Sequence, residues 1–154
     1  MNDWYGIAGV ALIAVVIAFS WKPLRRLGHE AQVKKATGAF RIQRERLEAK
    51  FLTAAGASGK PRGLIWKGAD FEPSLTLARD RRPGELVGLV PVSLSFEAVA
   101  GGPMEGVAAV GNLRNATAVF IYSRGQWSTT GKAVFNLNPD EAIKHFQPQY
   151  EAIS

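Results

Sequence analysis

Three periodicities divide the chain. From Trp4 to Trp21 the run WYGIAGVALIAVVIAFSW holds no charged residue and no proline. From His29 to about Ala57 apolar residues return at helical spacing: Val33, Phe40, Leu47 and Ala54 form one row, and Ala36 and Phe51 widen it. Beyond Gly63 the period drops to two, the signature of strands.

The first run predicts a transmembrane helix over 4–21. At about 1.5 Å per residue it reaches roughly 27 Å, near the roughly 30 Å hydrocarbon core of a bilayer. Trp4, Tyr5 and Trp21 fall where aromatic belts lie. A cleaved signal peptide is the alternative, because Ala18-Phe19-Ser20 is a passable cleavage site; yet only Asp3 precedes the run, where a signal normally carries Lys or Arg. Lys22, Arg25, Arg26, Lys34 and Lys35 follow it. Positive residues beside a span stay inside, which predicts an inner-membrane protein with its N-terminus outside and its domain in the cytoplasm. The same cations are expected to contact anionic lipid head groups, at about 1 kcal/mol each. Pro23 and Gly28 predict a kink or short break before the next helix.

The row over 29–57 fills only half of a coiled-coil seam, since Gln43, Arg44 and Lys50 occupy other seam positions. An amphipathic helix laid on the sheet of its own domain is the favoured reading. A homodimer through 29–57 and a helix lying along the membrane remain open. GASGKPRG (56–63) is a breaker cluster that joins helix to strand; it lacks the GxxxxGK[ST] of a phosphate loop. Strands are expected over 63–71, 74–79, 85–96, 116–123 and 127–137, with Pro91 placing the third at an edge or a bulge. Arg124-Gly125-Gln126 is a tight hairpin link, and Gly131 a bulge. Asn138-Pro139-Asp140-Glu141 is a capping box that opens a short helix ending near Phe146.

Strands grouped between helices predict an α+β fold: a transmembrane helix, then a long helix on an antiparallel sheet of about four or five strands, then a short C-terminal helix. That element order is the one found in cystatin-like and nuclear-transport-factor-like folds. The expected divisions are the span at 4–21, a basic linker and long helix at 22–57, the α+β domain at 58–147 and a flexible tail at 148–154.

Charge changes the picture once it is located. The 154 residues carry a formal net charge of +6. Residues 22–50 hold nine Lys/Arg against three Glu, and the remainder balances, so the whole excess sits beside the span. With no nucleic-acid motif present, this favours a lipid surface over nucleic acid as the partner. The absence of cysteine excludes disulfides, thiolate metal sites and cysteine nucleophiles.

Candidate chemistry is sparse. The long link 97–115 offers Glu97, Met104, Glu105, Asn112 and Arg114 as a functional loop. His145 beside Asp140 and Glu141 is the only local metal-like group, and the helix dipole explains its place better. Asp70 and Glu72 share a strand face as an acid–base pair would, though solvated carboxylates do the same. No catalytic motif, cofactor fingerprint or metal site emerges. Trp66, Phe71, Phe96, Phe120, Tyr122, Trp127 and Phe135 lie on strands; core packing is their default role, and a sheet face lined with them offers an apolar ligand site.

The strings GKPRGLIW, DFEPSLTLARD and VFNLNPDEAI resemble small bacterial membrane-anchored proteins of unassigned function, of the kind found in planctomycetes, over about Phe40 to Phe146. That resemblance brings no catalytic residue with it. The expectation is a single-pass membrane protein whose domain is an interaction or scaffolding module with a protein partner, not an enzyme. The alternatives are a binding module for a small apolar ligand on the aromatic sheet face, and an enzyme using the 97–115 loop.

Overall fold

The computed structural model describes the backbone of residues 3–153 and the side chains of residues 28–153. It forms two compact units, 1–38 and 39–154. The first is helical, and helix α1 (Asp3–Ala57) runs on into the second. The chain stays helical through Pro23 and Gly28, against the break their residue types predict. Their costs of about 3 and 1 kcal/mol are set against a helix of 55 residues. The expected span at 4–21, with Trp4, Tyr5 and Trp21, lies outside the described side chains, as do Lys22, Arg25 and Arg26. Among the residues whose side chains are described, 28–153, no helix is long and apolar enough to cross a membrane. Lys34 and Lys35 are exposed.

The second unit is α+β, built on seven antiparallel strands where four or five were expected. These are β1 (Leu64–Phe71), β2 (Thr76–Asp80), β3 (Leu86–Ala98), β4 (Arg114–Ser123), β5 (Gln126–Ser128), β6 (Ala133–Phe135) and β7 (Tyr150–Ala152). The main order is β5-β4-β3-β2-β7; β1 pairs with the far half of β3, and β6 with β4. The extra strands have two sources. The run 127–137 is split into β5 and β6 around Gly131, whose φ of +75° interrupts the extended chain. The tail expected to be loose is strand β7, which pairs with β2 through Ala78↔Ala152 and Asp80↔Tyr150 and buries Tyr150.

Pro91 sits in a central strand rather than at an edge. β2 reaches only Leu89 of β3, and β1 begins at Val92, so Pro91 falls where one neighbour gives way to the next. Its carbonyl accepts from the Glu72 N–H there. In an extended residue N–H and C=O point the same way, so the donor that proline lacks would have faced this gap.

Each sheet face has its own cover. One carries Leu86, Val90, Leu94, Phe120 and Tyr122, and the apolar row of α1 packs on it. The Phe40 ring meets Phe120 and Trp127 edge-on at 5.2 and 5.1 Å, and Phe51 meets Phe71 at 5.6 Å. Gly88 leaves room for Trp127, since a Cβ there would lie 2.9 Å from its ring. Arg44 bonds Glu48 on its own helix and the carbonyls of Glu72 and Pro73 on the link between β1 and β2. A residue that spoils a coiled-coil seam thus ties the helix to its own sheet. The opposite face holds Val87, Leu89, Val119 and Val134 under helix α2 (Pro139–His145), which contributes Ala142 and Ile143. The capping box is formed: Asn138 Oδ1 accepts from the Glu141 N–H, and Glu141 Oε2 accepts from the Asn138 N–H, both at 2.9 Å.

Candidate functional site

Helix α1 stops at Ala57, and no residue of it lines the part of the sheet face that carries Trp66, Ala133 and Phe135. What it leaves uncovered is an open groove of about 610 Å³. Trp66 of β1 and Phe135 of β6 line it, with Pro61 and Ala133 beside them. Phe96 of β3 joins the two rings, lying 4.9 Å from Trp66 and 6.2 Å from Phe135. One wall is the 58–62 segment and the other the 130–132 link.

Both walls are held in place. The indole N–H of Trp66 donates to the Lys60 carbonyl at 2.7 Å, fastening the first wall to β1. The second wall turns at Gly131, whose Cα faces the end of α1 so closely that a Cβ would lie 2.2 Å from the Ala55 nitrogen. The Thr129 hydroxyl donates to the Val119 carbonyl at 2.9 Å and accepts from the Gly131 N–H at 3.1 Å.

The rim is basic. Lys60, Arg62 and Lys132 line the groove, and no carboxylate does. The Lys132 ammonium is engaged elsewhere, over the Phe146 ring at 4.7 Å. Among the described residues, Lys60 and Arg62 make no salt bridge.

A second cavity, of about 430 Å³, opens on the other sheet face beyond α2. Glu72, Ser93, Asn115, Asn136, Asn138 and Glu141 bring polar atoms to it. Several are already used: Asn138 and Glu141 form the capping box, and the Ser93 hydroxyl donates to Asn115 Oδ1 at 3.4 Å. Among the described residues no three of His, Asp and Glu gather as metal ligands, and His145 packs edge-on against Phe146 at 5.0 Å.

The residues singled out in the 97–115 link do not converge on either cavity. Glu97 pairs with Lys67 at 2.8 Å on the surface, and this contact raises the Lys67 pKa. Glu105 Oε2 accepts from the Gly101 N–H at 2.7 Å, closing a local turn. The half-buried Met104 packs toward Gly63, Arg114 donates to the Ala109 carbonyl at 3.2 Å, and Asn112 is exposed after the short 3-10 turn Ala108–Gly111. These contacts shape the loop.

Of the strand aromatics, Phe96, Phe120, Tyr122 and Trp127 are core, while Trp66 and Phe135 reach the groove. Lys60 and Arg62 gave no sign of a site in the sequence, where GASGKPRG reads only as a connection. No protein-family model, curated protein or solved structure matches this chain.

Proposed function

We propose that the second unit is a ligand-binding module held at a membrane by the apolar run Trp4–Trp21, with the groove over Trp66 and Phe135 as its working site. On this reading the protein crosses the inner membrane once, with its N-terminus outside and its domain in the cytoplasm, and Lys22, Arg25, Arg26, Lys34 and Lys35 meet anionic head groups. The carrying observation is the groove itself: about 610 Å³, with an aromatic floor and walls fastened to the sheet and the helix end. Its volume falls within the roughly 300–1,000 Å³ typical of ligand sites. The helix on an antiparallel sheet also fits a cystatin-like or nuclear-transport-factor-like arrangement, with α2 on the second face as the departure.

The floor of the groove, Trp66, Ala133 and Phe135, is apolar, so recognition there rests on buried hydrocarbon. At about 0.8 kcal/mol per methylene, roughly five methylenes offset the lower bound of about 4 kcal/mol for association. The ligand therefore carries a chain of at least that length. Native mass spectrometry of the full chain, extracted from membranes in mild detergent, tests this. A bound small-molecule mass is expected on the natural chain and not on Phe135→Lys. Bare protein in both cases would refute the site.

An interaction or scaffolding module with a protein partner is the second reading. Leu113, 68 % exposed, and Ile42, 87 % exposed, favour it, as large apolar side chains turned to solvent. Leu113→Asp and Ile42→Asp should then reduce recovery of a co-purifying protein.

A further inference from the structure

Resting on the groove as the working site, we infer that its ligand is a single-chain anionic amphiphile: a hydrocarbon tail lying over Trp66 and Phe135, and a carboxylate held by Lys60 and Arg62. Three observations carry this. The groove's lining contains cations and no carboxylate. Lys60 and Arg62 make no salt bridge among the described residues, so their charges are free to meet a ligand. The negative end of helix α1, which would oppose an anion, is tied up locally. The Ser58 N–H donates to the carbonyls of Ala54 and Ala55, the Ser58 hydroxyl to Ala55, and the Gly59 N–H to Gly56.

The division of labour follows from chemistry. A peptide laid on the floor would bring backbone donors and acceptors that need partners, and Trp66, whose N–H is already used, Ala133 and Phe135 offer no side-chain partner; an acyl chain needs none. Lys60 and Arg62 belong to one short wall segment, so the head lies against that wall and the tail crosses toward β6. Both cations are exposed, so they select the sign of the head more than they add affinity, and salt weakens that selection.

Two photoactivatable probes test the proposal on the full chain in phosphatidylcholine nanodiscs. One is hexadecanoate, the other hexadecyltrimethylammonium, each with a diazirine in the chain; adducts are mapped by digestion and mass spectrometry. The carboxylate is expected to label the peptides containing Trp66 and Phe135 about fivefold more than the ammonium, given two exposed charge contacts. That preference should vanish in Lys60→Gln/Arg62→Gln and shrink on the natural chain at about 1 M salt, where the Debye length is about 3 Å. Equal labelling by both probes would overturn the anionic class while leaving the groove as the site. A preference that survives the double substitution or the salt would remove Lys60 and Arg62 from the head site. No adducts in either peptide from either probe would overturn the ligand class and the site together.

Discussion

Gly131 and Gly125 show how one backbone conformation carries different weights. Both have positive φ, +75° and +82°. A Cβ at Gly125 meets nothing within 4 Å, whereas at Gly131 it would run into the backbone of Ala54 and Ala55. Gly125→Ala should therefore cost only the left-handed penalty, about 1–2 kcal/mol. Gly131→Ala adds a collision that no rotamer relieves, and should cost more than about 4 kcal/mol. Urea denaturation of the two variants checks this, and equal midpoint shifts would contradict it. Tyr150 makes a second residue-level test. Burial, and then the Asp80 carboxylate, raise its phenol above the ordinary value of 10.0. A raised folded pKa means the contribution is fully present below about pH 10 and is lost as pH climbs through the folded value. The stability difference between the natural chain and Tyr150→Phe should thus be flat at neutral pH and change only in the alkaline range.

At the scale of elements, the row of Phe40, Leu47 and Phe51 announces a helix with one buried face, and that face lies on the sheet. Leu47→Ala, at a position 1 % exposed, should cost about 2–5 kcal/mol. Ile42→Ala, on the opposite side of the helix, should stay within about 0.5 kcal/mol. Similar losses at both would mean that another surface covers Ile42. The hairpin was legible for a local reason, Gly125 in the turn, but the link is Arg124 and Gly125 alone, both at positive φ as in a type I′ turn, and Gln126 already pairs with Ser123 in β5. The capping box was legible for the same reason, with its donors and acceptors within four residues of one another. What the sequence hid depends on distant pairing. Pro91 marks an edge by rule, but here it marks the gap between β2 and β1, which only the assembled sheet creates. Strand β7 carries no alternation long enough to read and exists because β2 offers an open edge. The groove follows the same logic. Trp66 and Phe135 stood out as strand aromatics, but their convergence with Lys60 and Arg62 requires β1, β3, β4 and β6 to be side by side.

At the scale of the whole molecule, the proposal joins a membrane tether to a groove built for hydrocarbon. The tether makes its own prediction: the full chain should pellet with membranes, resist alkaline carbonate and dissolve only in detergent. Uncut protein left in the supernatant would remove the tether without touching the groove. The groove is tested most directly by ¹⁹F NMR of the full chain with 5-fluorotryptophan at its four tryptophans, titrated with sub-micellar alkanoates of increasing length. The resonance lost in Trp66→Phe should be the one that shifts, buried Trp127 should stay still, and affinity should rise about fourfold per added methylene. A silent Trp66 resonance, or an affinity indifferent to chain length, would contradict the groove as the site.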